Sequence, residues 1–309
     1  MWMKKFEYLS ELFTAKRFYF DRITGRYSLS QSLDHGRRFT CFWPHSHREI
    51  EMIYIESGAM HITIMDEHLT ASAGDLLIFN PYAIHGGYVD DELPTVTYSF
   101  IRFDAGRFSL VGGDGAEDTA ALWGRSELLA KEHTIRCPEN ESIGVLIGNA
   151  VGLYRSLSES AAYEAVSGIY AILSIMQRSG YLVRSKHGAH MHNFLEKAVR
   201  FLEENYAGEI TAEKIYESFP YSRSYFCRLW KRNFGITFGK SLNDYRIHSA
   251  ITLYLSKPDC TLFIGEIAGK VGFTDYCQFS NIFRKYVGCS PRSYRSEILD
   301  HPTTTTAEP

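Results

Sequence analysis

The chain has 309 residues, 45% of them hydrophobic and 22% charged, with 33 Lys and Arg against 36 Asp and Glu. That length allows two or three domains with sizeable cores, and no stretch approaches the roughly 18 apolar residues of a membrane helix, so a soluble chain is expected and a helical membrane protein is excluded. The near-neutral total is unevenly divided: residues 189–299 hold 15 Lys and Arg against 11 Asp and Glu, and the rest 18 against 25, which places the cationic excess, and any contact with a polyanion, at the C-terminal end.

At the N-terminus, Met1-Trp2-Met3-Lys4-Lys5-Phe6-Glu7 has two lysines but no apolar run behind them. No secretory signal is expected, and the cytoplasm is the expected location. The six cysteines, at 41, 137, 227, 260, 277 and 289, form no Cys-x-x-Cys pair and no zinc-finger spacing. They read as free thiols, and nothing basic singles out Cys41 or Cys137 as a redox sensor.

Residues 1–110 contain short alternating segments, such as His61-Ile62-Thr63-Ile64-Met65 and Asp75-Leu76-Leu77-Ile78-Phe79, punctuated by Gly58, Asp66-Glu67, Gly74 and Pro81. That spacing predicts an antiparallel β-barrel or jelly roll. Within it lie His45-x-His47-x3-Glu51-x6-Gly58 and Gly74-x6-Pro81-x3-His85. These resemble the two motifs of the cupins over about Arg37 to Asp104, although the second has one extra residue and lacks a Gly before its His.

The cupin resemblance implies that His45, His47, Glu51 and His85 form a three-His, one-carboxylate site able to hold a divalent transition metal with an open position. The other reading of the same residues needs no cofactor: they hydrogen-bond a small effector inside the barrel, with Phe42, Trp43 and Tyr82 as apolar or aromatic walls. Trp43 could equally be core. Aromatic faces with oriented donors suit a sugar or polyol and also small aromatics; the sugar assignment comes from the family resemblance below.

Residues 111–188 read as a helical linker or dimerisation segment. Gly112-Gly113-Asp114-Gly115 suggests a flexible loop, and Ala162, Val166, Ile169, Ile172, Leu173 and Met176 form an apolar stripe at helical spacing. That stripe either packs on the barrel or covers its counterpart in a homodimer. Ser185-Lys186-His187-Gly188-Ala189-His190-Met191-His192 reads as a solvated linker, and the next helix would carry Phe194, Ala198, Phe201 and Leu202.

Residues 189–299 contain a degenerate repeat. Ile215 to Gly235 recurs as Ile267 to Gly288, and Phe226, Trp230 and Gly235 reappear as Phe279, Phe283 and Gly288 at a constant offset of 53. Each copy predicts a helix, a turn (Phe219-Pro220-Tyr221-Ser222; Val271-Gly272-Phe273-Thr274) and a second amphipathic helix, a helix-turn-helix. Ser222 and Thr274 are placed to cap the second helices, and Gly235 and Gly288 to end them. Tyr225, Phe226, Trp230, Phe279 and Phe283 are expected in the core, and Phe226, Leu229 and Trp230 share one face. The tail His301–Pro309, with residue 300, reads as disordered.

The second copy closes with Gly288-Cys289-Ser290-Pro291-Arg292-Ser293-Tyr294-Arg295, and from about Met191 to Ile298 the sequence resembles the AraC-type transcription regulators. The resemblance implies two helix-turn-helix units joined by a long helix, about Phe238 to Leu255, with second helices in successive major grooves. Carried over by motif position, Ser224, Cys227, Arg228, Tyr276, Cys277, Gln278 and Asn281 would face bases. Arg228 suits guanine, and Gln278 or Asn281 suits adenine. Ser222, Lys231, Arg232, Thr274, Arg284 and Lys285 would meet phosphate. Phe219-Pro220 in the first turn and Asn281 depart from the family pattern, so no sequence preference carries over.

The combined expectation is a double-stranded DNA-binding regulator, not an enzyme, of α+β multidomain fold. It has an N-terminal cupin-like sensor for a small molecule, a sugar by family habit, and would also meet RNA polymerase if it activates. The alternative is a metal-dependent cupin enzyme fused to a DNA-binding domain.

Overall fold

The computed structural model describes residues 13–21, 26–27, 34–35, 38–64, 67–108, 122–123, 128–131, 133–135, 139–156, 159–184, 188–234, 236–255 and 259–300. Gly112–Gly115, Cys137, Ser185–His187, Gly235 and the tail from His301 lie outside them, as do the side chains of Trp43, Ala162, His190 and His192. Among the described residues, no helix is long and apolar enough to cross a membrane.

The sensor portion is an antiparallel β structure. Its strands are β1 (Phe13–Asp21), β2 (Arg26–Tyr27), β3 (Asp34–His35), β4 (Arg38–His45), β5 (Ile50–Ile64), β6 (Glu67–Ser72), β7 (Leu76–Phe79), β8 (His85–Asp90) and β9 (Thr95–Phe103). They pair in the order β2-β1-β9-β5-β8-β4-β3, with β6 and β7 also on β5. The long β5 serves both halves of the sheet: Glu51–Tyr54 pair with β7, and Ala59–Ile64 pair with β6. Gly58 marks the changeover at φ 71°, and a Cβ there would stand 2.2 Å from the Thr95 carbonyl oxygen. Only glycine fits so close an approach. Alternate residues of these strands, among them Phe20, Ile53, Ile55, Met60, Ile62, Leu77, Phe79 and Tyr98, fill the interior.

Residues 111–188 are more than a linker. β10 (Leu128–Ala130) pairs with β12 (Leu182–Arg184), and β11 (Thr134–Ile135) extends the sheet beside β7. The helix α1 (Glu139–Ser156) lies against its outer face, and α2 (Glu159–Arg178) packs on α1. Ile169, Ile172, Leu173 and Met176 of the predicted stripe are buried with Ile50, Met52, Ile101 and Phe103. The stripe is therefore covered within the chain, because apolar side chains at helical spacing match the apolar outer face of β5 and β9.

The C-terminal portion opens on a long helix. α3 (Gly188–Asn205) already includes the second half of the segment read as a linker. The first unit is α4 (Ala212–Ser218) and α5 (Arg223–Phe234), and the second is α7 (Ile264–Lys270) and α8 (Tyr276–Val287). α6 (Phe238–Ala250) joins them, and α9 (Pro291–Asp300) closes the fold. The predicted connecting helix is α-helical only to Ala250 and continues as a π turn over Ile251–Leu255. Each unit has its own aromatic core, around Phe219, Phe226, Trp230 and Phe234 in one and Phe273, Phe279, Phe283 and Tyr294 in the other. Trp230 Nε1 donates to Ser241 Oγ at 2.8 Å, which fixes α5 on α6.

The turns explain one departure from expectation. Ser222 Oγ accepts from the Tyr225 N–H at 3.3 Å and caps α5 as predicted. The cap of α8 is Asp275, not Thr274: its carboxylate accepts from the Gln278 N–H at 2.5 Å, a stronger charge-assisted version of the same bond. The second turn also needs Gly272, at φ 92°, because a Cβ there would meet the Tyr206 carbonyl oxygen at 2.5 Å. Gly288 ends α8 in the left-handed conformation, as expected.

Where α6 packs on α8, the Tyr286 hydroxyl donates to the half-buried Asp244 carboxylate, whose Oδ1 has no hydrogen-bond partner. Burial pushes this carboxyl up from 3.8 to about 6, against the Tyr286 hydrogen bond and the Lys240 charge. The folded state thus holds a proton that the unfolded chain releases, so stability from this group is full below pH of about 4 and lost as pH rises through about 6. Asp244→Asn keeps an acceptor for Tyr286 without the charge. It is expected to raise stability by about 2–3 kcal/mol above pH of about 7 and hardly at all below about 4. Thermal unfolding of both proteins across that range checks this, and a difference that fails to widen with pH would count against it.

Candidate effector site and nucleic-acid interface

Strand pairing builds the sensor site. His45 ends β4 directly opposite His85 at the start of β8. His47 lies in the bend leading to β5, and Glu51 follows on β5 itself. The four side chains converge so that one ligand atom from each lies within 4.8 Å of the others. Ring centroids are 4.5 Å apart for His45 and His85 and 5.2 Å for His47 and His85.

Each imidazole is oriented from behind. His47 Nδ1 lies 3.0 Å from the Glu49 carbonyl oxygen, and His85 Nδ1 lies 2.8 Å from that of Ala83. With Nδ1 donating to these carbonyls, Nε2 of each ring is left to face inward. His47 Nε2 is 3.1 Å from Glu51 Oε2. His85 Nε2 is 3.8 Å from Glu51 Oε1 and has no hydrogen-bond partner, although the residue is only 1% exposed. Phe79 stacks under the His85 ring at 4.0 Å.

Burial works to raise the Glu51 carboxyl, but the His47 and His85 imidazoles overcome it and hold the group well below the usual carboxylate range. Burial pushes the His85 imidazole down in spite of Glu51. An ionised carboxylate beside a neutral imidazole whose inward nitrogen lacks a partner is the protonation pattern a metal ion requires. The residues present therefore fit a divalent transition metal. His45, His47, Glu51 and His85 would hold it, and it would supply a Lewis-acidic centre for a ligand's oxygen atoms.

Of the other expected effector contacts, Phe42 lies edge-on to His45 and His85 at 6.2 and 6.1 Å. Tyr82 shares the loop but not the cluster, because its side chain joins the core of the first helix-turn-helix unit. Sequence reasoning missed Phe79 and the two orienting carbonyls. Phe79 was visible only as the end of an apolar run, and a carbonyl leaves no sequence signal. Among the described cysteines all are free, and burial holds the Cys41 thiol well above its ordinary value, away from the reactive thiolate.

In the reader, Ser224, Arg228, Tyr276, Cys277, Gln278 and Asn281 are exposed, whereas Cys227 is half-buried against the first core. Ser222, Lys231, Arg232, Thr274, Arg284 and Lys285 are exposed as well. Phe226, Trp230, Phe279 and Phe283 are at most 1% exposed, as expected of core. Tyr225 is not core. It is 42% exposed, with the Arg228 guanidinium 5.7 Å from its ring centroid and Tyr221 edge-on at 5.1 Å. The reason is helical geometry: Tyr225 precedes Phe226 by one residue, about 100° round the helix from the buried stripe.

Residues 216–297 match the family described as a helix-turn-helix domain, and residues 35–166 match the AraC-like ligand binding domain. The uncharacterised HTH-type transcriptional regulator YdiP of Escherichia coli K12 is 27% identical over 81% of this chain and 79% of its own length. The regulator YijO of the same organism is 28% identical over 81% of this chain and 86% of its own. The fold resembles that of Vibrio cholerae ToxT crystallised with an unsaturated fatty acid, with a TM-score of 0.56, 15% identity, and coverage of 96% of this chain and 98% of that one. The paired helix-turn-helix units, the antiparallel sensor ahead of them and these full-length relatives agree that the chain belongs to the AraC-type DNA-binding transcription regulators with a ligand-binding domain.

Proposed function

We propose that this regulator senses a small oxygen-bearing effector through a divalent metal held by His45, His47, Glu51 and His85. The observation that carries the reading is the buried His85 Nε2, which lacks a partner although its ring is held in place by the Ala83 carbonyl and Phe79. Leaving such a nitrogen unpaired is costly unless a ligand takes it up. A sugar or related polyol is the effector class assigned, since vicinal hydroxyls suit an open metal position. The likeness to ToxT, crystallised with a fatty acid, supports a small-molecule site without favouring a sugar. The same donor set would serve a cupin enzyme. Relatives that are transcriptional regulators support binding over turnover.

We assign base contact to Ser224, Cys227, Arg228, Tyr276, Cys277, Gln278 and Asn281 in the first two turns of α5 and α8, and phosphate contact to Ser222, Thr274 and the cations at the helix ends. The copies would associate through the groove between α1 and α2, which Leu146, Gly148, Gly152, Leu153 and the exposed Tyr163 line. Cytoplasmic location and contact with RNA polymerase during activation complete the reading.

Thermal unfolding with and without chelator tests the sensor. A metal at about 100 times its Kd should add about 2.7 kcal/mol, and His85→Ala should abolish that gain. A gain that survives the substitution would place the metal elsewhere. For the reader, Arg228→Ala should cost about 1–3 kcal/mol at one base pair and relax specificity there. Equal weakening on every sequence would make Arg228 a phosphate contact. Lys231→Ala or Arg284→Ala should lower affinity on all sequences and reduce the salt slope by about one unit, read from binding isotherms across salt concentrations.

A further inference from the structure

Between the quartet and the reader runs the loop Asn80–His85, and its conformation is unusual. Tyr82 has φ 66°, whereas the other positive-φ residues described are all glycines. A bulky side chain tolerates that region only where its surroundings enforce it. Here they do so from three sides. The Tyr82 N–H donates to the His47 carbonyl oxygen at 2.7 Å, tying the loop to one member of the quartet. Ala83, the next residue, orients His85 through its carbonyl. At the loop's start, Asn80 Oδ1 accepts from the Ala130 N–H at 2.8 Å and from Trp123 Nε1 at 3.2 Å, which anchors it to the sensor body.

The Tyr82 ring, 3% exposed, joins the core of the first helix-turn-helix unit with Ala198, Val199 and Leu202 of α3, and Ile84 packs there too. Burial and the Glu196 carboxylate of α3 hold its phenol above the usual range, and the Arg48 and Arg200 cations oppose them. No sensor side chain enters the second unit's core, whose described members all come from the reader, although β4 also meets α6. The loop is thus pinned at Asn80 and gripped by His47 and His85, and its apolar tip is sunk in one reader unit.

We propose that Tyr82 is the positioning residue that couples the quartet to the first helix-turn-helix unit, so that ligation at His47 and His85 and docking of that unit form a single equilibrium. The proposal rests on the metal reading for its trigger and on the Tyr82 ring for its transmission. The coupling is reciprocal: whatever metal does to docking, docking does to metal affinity. Ligation need not move the loop far, since a packed core has discrete arrangements and the strained backbone has few.

The test is hydrogen–deuterium exchange on the full chain, with Co²⁺ alone as the probe because its visible absorption reports ligation independently. Tyr82→Asn keeps the left-handed backbone and removes the ring, Tyr82→Gly does the same should the first variant fold poorly, and Tyr82→Phe keeps the ring. In wild type and Tyr82→Phe, Co²⁺ should change exchange at residues 45–51 and also in α3 to α5. In Tyr82→Asn the first change should persist and the second vanish. Transmission to α3 to α5 undiminished in Tyr82→Asn overturns the proposal. If Co²⁺ leaves residues 45–51 and the spectrum unchanged in wild type, the metal reading fails. The metal-free comparison then decides the coupling: α3 exchanging about tenfold faster in Tyr82→Asn, with β5 and α8 unaltered, supports it, and equal rates overturn it.

Discussion

An ionised carboxylate buried in a β structure must be compensated, and Glu51 is compensated by the imidazoles gathered around it. The desolvation cost of burying that charge is large, and it is offset by the imidazoles that face it from two different strand connections and, on the proposed reading, by the metal they would hold. The sheet architecture is what allows this. β4 must pair with β8 so that His45 stands opposite His85, and β5 must start directly after the bend that holds His47. A slip of one residue in either register would turn one imidazole to the opposite face and leave the carboxylate without compensation. The sensor's geometry is therefore fixed by a polar constraint and not only by its apolar interior.

The reader is held by a different logic. Its two units repeat the same aromatic stripe, and in each the stripe is buried while the residues two positions away are exposed. Function is carried by the exposed remainder, which is free to differ between copies. It does differ: Arg228 has Asn281 as its counterpart, and Ser224 has Cys277. Two rigid, similar scaffolds with dissimilar exposed faces suit the reading of two dissimilar half-sites.

Legibility followed the same division. The aromatic repeat, the alternating strands and the His/Glu spacing could be read because each is periodic or chemically distinctive. Helix termini could be read where one side chain decides them, as at Ser222 and Gly288. They were misread where two neighbours compete, as at Thr274 and Asp275, because a carboxylate one residue on makes the stronger cap. Tyr225 was misplaced because aromatic character was allowed to outweigh its position round the helix. The contribution of α1 and α2 to the sensor core was only half visible: a stripe says that it must be covered but not by what. Tyr82 was legible as an aromatic beside the site, yet nothing local to its sequence could show that the ring leaves the sensor for a core more than a hundred residues downstream.

That last feature bears on how a two-part reader can be controlled. Both units must engage DNA together for the full affinity of a tandem reader, because each alone gains little over non-specific phosphate contact. A sensor need therefore grip only one of them. The first unit, whose core includes Tyr82, is also the one from which α6 departs, and α6 leads through a π turn into the second unit's core. On the proposed coupling, displacing the first unit would change the direction in which α6 presents the second, and the major-groove spacing would be lost without either unit unfolding. Control by orientation costs far less free energy than control by unfolding, because every buried aromatic stays buried. On the proposed reading, a ligand at the quartet that binds one orientation about 10⁴-fold more tightly than the other would decide between them.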